Sequence, residues 1–154
     1  MPTVLEDVMF GPKNFGFNDM QVQENSIKAL EQVKMIEYID KPPHHLSFGQ
    51  KRKVAIASVL ASEPELLVLD EPSSNLDPAS RRELIDILKN LEVSIILVTH
   101  DLPMALEICS RSIILNNGKI TADSETYKIL KDEKTMSDNR LELPFGFALH
   151  HLEE

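Results

Sequence analysis

Apolar residues in the first third of the chain recur at helical spacing and are punctuated by proline. Val22, Ile27, Leu30 and Val33 fall near one face of a helix that Asn18 or Asp19 can cap. Lys41-Pro42-Pro43 ends that region, because proline has no amide proton and biases its predecessor away from helix. Ser47 stands as a cap before a further helix, expected over about residues 50–62 and stopped by Glu63-Pro64. Residues 1–18, with Pro2, Gly11-Pro12 and Gly16, read as loop with a short helical turn at residues 4–9.

The rhythm then changes. Leu66-Leu67-Val68-Leu69 is a continuous apolar run too short for a helix, as expected of a strand buried on both faces of a parallel sheet. Asp77 caps and Pro78 opens a helix to about residue 91, since proline is well placed where no donor is required. Residues 94–98 repeat the β-branched run, residues 102–109 read as helix and residues 112–115 as a third strand. Asn116-Asn117-Gly118 turns the chain into residues 119–122, and a helix follows near residues 125–130. Strand and helix alternate, which argues an open, mostly parallel α/β sheet with right-handed crossovers and a helical insert at residues 19–62. The expected divisions are residues 1–62, 63–122 and 123–154.

Composition narrows the class. At 154 residues, 42% hydrophobic and 27% charged, the chain suits one globular domain of ordinary size. Twenty-five acids against sixteen bases give a net charge of −9. The acidic excess is spread evenly along the chain with no basic arm, so direct nucleic-acid binding, which displaces counterions with clustered Lys and Arg, is disfavoured. The single cysteine, Cys109, excludes an intrachain disulfide and fits a small core residue on an apolar helix face. No apolar stretch approaches the ~20 residues that cross a bilayer, and the first residues carry no signal-peptide pattern. The expectation is a soluble, cytosolic protein that meets membranes only through partners.

The chemistry-bearing residues sit at strand ends, where open parallel sheets bind ligands. Asp70-Glu71 follows the first buried run and Thr99-His100-Asp101 the second. Asp70 would be an oxygen ligand suited to Mg²⁺. Glu71 could orient or deprotonate a water, and His100 could donate to an anion in the same place. Those are the ingredients of phosphoryl transfer to water. Separately, Ser47-Phe48-Gly49-Gln50 offers N–H groups at a helix start that favour a phosphate, or simply an N-cap. Lys51, Arg52 and Lys53 oppose that dipole unless an anion is nearby.

These motifs resemble those of ATP-binding-cassette ATPases. Leu46-Ser47-Phe48-Gly49-Gln50 is similar to the signature loop, Leu66–Asp70 with Glu71 to the Walker B strand and catalytic glutamate, Ser74-Asn75-Leu76-Asp77 to the D-loop, and His100 to the switch histidine. Pro2-Thr3-Val4, Glu6-Asp7-Val8, Phe10-Gly11-Pro12 and Pro42-Pro43-His44-His45 look like the ATPase subunits of energy-coupling-factor importers, which serve cobalt, nickel or vitamin uptake. The resemblance implies ATP and Mg²⁺ as cofactors, Glu71 and His100 as catalytic residues, and Asp70 as metal ligand. It implies that Ser47, Phe48, Gly49, Gln50 and Asp77 face nucleotide. The partners it implies are a second ATPase subunit, identical or not, and integral membrane subunits contacted near residues 3–16. Location at the cytoplasmic face of the membrane follows.

One departure is large. None of the five glycines begins Gly-x-x-x-x-Gly-Lys-[Ser/Thr], so the phosphate-cradling loop of the family is not among these residues. The chain corresponds to about the last half to two-thirds of such a subunit, compatible with a fragment, a split gene or a truncated reading frame. By itself it is expected to be inactive and to expose an apolar sheet face. An interaction module lending its signature loop to an intact partner is the alternative. Phe48 is a second departure, because glycine is commoner there. His44-His45 and His150-His151 read as loop histidines without a metal.

Overall fold

In the computed structural model, residues 2–143 are described. They form two compact units, one running to Val98 and one from Thr99.

The first unit starts with three helices, α1 (Val4–Asn14), α2 (Asp19–Gln32) and α3 (Phe48–Leu60). All three are opened by the same device. Thr3, Asn18 and Ser47 each accept the amide of the residue three ahead, and Glu6, Gln21 and Gln50 reach back to the cap amide. Two otherwise orphaned donors are satisfied at each helix start. The three helices pack on one another, burying Val4, Val8, Val22, Leu30, Val54 and Ala57.

The loop expected at residues 1–18 is therefore mostly α1. Its capping box and the buried spacing Val4, Val8, Pro12 outweigh the one donor that Pro12 lacks. Gly11 marks where α1 meets α3: a β-carbon there would lie 2.9 Å from the Ser58 carbonyl oxygen and 3.0 Å from Ser62 Oγ. Helix propensity favours Gly11→Ala by about 1 kcal/mol. The clash with backbone works against it, by about 1–3 kcal/mol. We expect a net loss of stability, read as a lowered thermal midpoint.

Two strands complete the unit. β1 (Leu66–Asp70) and β2 (Ser94–Val98) pair in parallel, Leu66 opposite Ser94 through Asp70 opposite Val98, with α4 (Pro78–Lys89) between them in sequence. Leu67 and Leu69 are buried, as are Leu84, Ile85 and Leu88 of α4. Burial on both faces does not hold. Leu66, Val68, Ile96 and Val98 are each about half exposed, the alternation of a strand covered on one side only. The apolar face expected to be open is open.

The second unit contains α5 (Leu102–Ile108), β3 (Arg111–Asn116), β4 (Lys119–Glu125), α6 (Thr126–Lys131) and α7 (Glu133–Asp138). β3 and β4 make an antiparallel hairpin of their own, not a third parallel strand. Asn117 and Gly118, both at positive φ, form its two-residue turn. The sequence left α7 unassigned; Asp132 caps it through the Lys134 and Thr135 amides. Asn139 ties hairpin to helix, accepting from Asn116 Nδ2 and Thr121 Oγ1 and donating to the Thr135 carbonyl. Cys109 is not on a helix face: it is the C-cap of α5, half-buried, and burial raises its thiol pKa.

Candidate functional site

Two turns of the first unit hold most of the residues that the sequence singles out. One is the start of α3, where Ser47 Oγ accepts from the Gln50 amide at 3.2 Å and Gln50 Oε1 accepts from the Ser47 amide at 2.9 Å. The helix begins at Phe48 rather than Gln50, so Gln50 occupies its third position and its side chain is turned back on the cap. The amides of Phe48 and Gly49 have no acceptor a turn back, and they emerge at the positive end of the dipole. Phe48 sits in α3 with negative φ, so a side chain costs nothing where glycine is commoner. Its ring, half exposed, lies 5.5 Å from the Arg52 guanidinium carbon. Lys53 pairs with Glu83 of α4 at 2.9 Å, which accounts for one of the three cations.

The other turn follows β1. Asp70 ends the strand opposite Val98 and is exposed. Glu71 has φ 43°, in the left-handed region. Its amide donates to the Val98 carbonyl at 2.8 Å and its carbonyl accepts from the Ser74 amide at 3.2 Å. A non-glycine residue held so costs about 1–3 kcal/mol and persists only where its surroundings impose it. Here a backbone bond from each side and buried Pro72 impose it. Both carboxylates thus occupy the carboxyl-terminal tip of a parallel pair, the ligand-binding edge of such sheets.

Asp77 caps α4, accepting from the Ala79 and Ser80 amides at 3.0 Å and from Ser80 Oγ at 2.6 Å. The Ser80 hydroxyl, followed by those amides, holds its carboxyl below the usual carboxylate range. A depressed folded pKa means the cap stabilises above the unfolded value of about 3.8 and weakens as pH falls through the folded one. The thermal midpoint of Asp77→Ala should therefore lie below that of the parent at neutral pH. The gap should narrow as pH drops below about 4.

His100 belongs to the second unit, two residues past the end of β2 along the chain, and is exposed. Its carbonyl accepts from the Leu102 amide at 3.0 Å. Asp101 is the cap of α5, accepting from the Met104 amide at 3.0 Å.

Among the described residues no three metal-capable side chains converge. Asp70 would accordingly hold Mg²⁺ only together with phosphate oxygens and waters, which suits a cation that keeps much of its water. The tip carries acceptors of the kind a hydrated cation takes, and the α3 start carries amides of the kind an anion takes. His44 and His45 form a 3₁₀ turn with rings edge-on at 4.3 Å; His150-His151 lies outside the described residues. Residues that sequence reasoning missed are Ser80 and Glu83, which tie α4 to Asp77 and to α3. Ser80, three past a capping Asp, was the legible one.

No helix among the described residues is long and apolar enough to cross a membrane. Residues 18–107 match the family described as "AAA domain, putative AbiEii toxin, Type IV TA system". The chain is 60% identical over 147 residues to a "Putative ABC transporter ATP-binding protein" of Streptomyces avermitilis, covering 96% of this chain and 56% of that protein. It is 42% identical to the "Energy-coupling factor transporter ATP-binding protein EcfA2" of Mycoplasmopsis pulmonis, covering 92% and 48%. It spans about half the length of these relatives. Among solved structures, cbiO1 from Clostridium perfringens, part of the ABC transporter complex cbiONQ, matches with a TM-score of 0.77 and 32% identity over 99% of this chain and 61% of that one. The fold is that of an ABC ATPase domain, and the chain belongs to the AAA-domain family so described, as a homologue of the ATP-binding proteins of ABC transporters, energy-coupling-factor types included.

Proposed function

We propose that the chain supplies the signature turn and the carboxylate tip of an ATP-hydrolysing subunit that powers an energy-coupling-factor importer, with cobalt, nickel or a vitamin as cargo. The observation that carries this is Glu71. A carboxylate one residue past β1, at the carboxyl-terminal tip of a parallel pair and with its amide bonded to the Val98 carbonyl, supports a role in orienting a nucleophilic water. Magnesium would supply charge neutralisation on the phosphates. Asp70 would hold that cation's waters. Ser47, Phe48 and Gly49 present hydroxyl and amides to the γ-phosphate of ATP on a second ATPase subunit, while Gln50 and Asp77 keep their turns in shape. Exposed Phe10 and Phe15, on α1 and just past it, offer apolar surface for integral membrane subunits, which would place the protein at the cytoplasmic face.

The exposed Ser47 cap at the start of α3 carries a second reading of the same site, in which the chain hydrolyses nothing and lends its signature turn to an intact partner. Phosphate-release assays separate the two. The chain alone should show negligible turnover. Mixed with the full-length Streptomyces avermitilis relative, it should raise hydrolysis on the second reading, and Ser47→Ala should remove the increase. Robust turnover by the chain alone, lost in Glu71→Gln, would overturn the expectation of inactivity.

A further inference from the structure

We infer that Ser80 is a positioning residue that locks the signature turn to the loop preceding α4, so that Ser47–Gly49 and Asp77 move as one body. The inference rests on the reading of Ser47–Gly49 as a phosphate-binding turn. Gly49 lies so close to α4 that a β-carbon on it would stand 2.8 Å from Ser80 Oγ, 3.0 Å from Ser80 Cβ and 3.7 Å from Leu76 Cδ2. Ser80 Oγ cannot simply swing away, because it donates to Asp77 Oδ2 at 2.6 Å. Its Cβ cannot move without the backbone of α4. One turn further along both helices, Lys53 and Glu83 pair at 2.9 Å, with Lys53 mostly buried at 13% exposure. Two helix starts are thus fastened at two successive levels, a steric contact and an ion pair.

The consequence is specific. Phosphate binding at a helix start depends on where the amides point, and a shift of a few tenths of an ångström misdirects them. The Ser80 hydroxyl faces Asp77, and its β-carbon sets how near the Gly49 backbone can come. A larger side chain at position 80 should tilt the turn as effectively as one at position 49. Removing the side chain at 80 should make room for one at 49.

The test is MgATP-dependent association of the chain with the full-length Streptomyces avermitilis relative, measured with thermal midpoints alongside. Gly49→Ala and Ser80→Val should each weaken association about tenfold or more. The pair Gly49→Ala with Ser80→Gly should recover to within about threefold of the parent, even though Ser80→Gly loosens the Asp77 cap and lowers the midpoint. Recovery of affinity against falling stability is a readout that a purely structural role for Ser80 does not produce. If the double variant binds no better than Gly49→Ala, or Ser80→Val binds like the parent, while Ser47→Ala still abolishes association, the positioning role is overturned and the phosphate-binding reading stands. If Ser47→Ala associates like the parent, that reading falls and takes this one with it. Should Ser80→Val fail to fold, the double variant decides.

Discussion

Leu30→Ala should remove about 2–5 kcal/mol of folding stability from the first unit, read as a lowered urea midpoint at unchanged slope. Leu30 is fully buried on α2, which packs against both α1 and α3. Truncating it loses the transfer energy of the side chain and leaves a void the three caps cannot close, since each helix start is already fixed by two bonds. Domains of this size are stable by only about 5–15 kcal/mol, so the variant should approach unfolding at 37 °C. One turn earlier on the same helix lies the opposite case. Ser26 is equally buried, and its hydroxyl has no hydrogen-bond partner among the described residues. An unsatisfied buried hydroxyl costs about 1–3 kcal/mol, so Ser26→Ala should leave stability unchanged or raise it. A Leu30→Ala loss below 1 kcal/mol would show that this helix packing is not the core of the unit.

Much of the fold was legible because its signals are local. Asn18, Ser47 and Asp77 were readable as caps from residue type, and Asn116-Asn117-Gly118 from its turn chemistry. The misses share a cause. Alternation was hidden at Leu66-Leu67-Val68-Leu69 because both the covered and the open positions are apolar, so a half-exposed strand reads as a buried one. Pro12 and Gly11 suggested loop, whereas the deciding feature of α1 is the Thr3-x-x-Glu6 box together with the close approach to Ser58. Part of that was written in the chain: Thr3-x-x-Glu6 and Ser47-x-x-Gln50 are the same capping signature, and the latter moves the start of α3 back to Phe48. What was not is that β3 and β4 form a sheet of their own, since a turn shows that two runs pair but not whether they also join the parallel strands.

For the site, residue identity reached further than geometry. Asp70, Glu71, Ser47 and Gly49 stand at strand or helix tips as their types suggested. The left-handed backbone at Glu71 could not be read, because glutamate has no preference for it; the Val98 carbonyl across the pair, the Ser74 amide and buried Pro72 impose it together. Nor could Gly49 be understood alone. Its need for glycine comes from Ser80, thirty-one residues on, and a contact at that separation leaves no trace in local pattern.

Glu71→Gln is the substitution with the largest expected effect on activity. In a chimera where this chain replaces the matched 56% of the Streptomyces avermitilis relative, it should lower ATP turnover by about 10²–10⁴-fold, the usual worth of a general base. Glutamine keeps the volume and an acceptor oxygen but cannot take a proton, and the backbone bonds from the Glu71 amide to Val98 and from the Ser74 amide to Glu71 survive any side-chain change. Thermal stability should therefore stay level while turnover collapses, and MgATP binding should persist. Glu71→Gly separates strain from chemistry. Glycine adopts positive φ at no steric cost, so the fold should be as stable or more so, yet turnover should be lost as in Glu71→Gln. If Glu71→Gln retained turnover, the water would have to be oriented elsewhere. The strained backbone at φ 43° would then be a feature of the turn alone, and the assignment of this tip as the hydrolytic centre would fail.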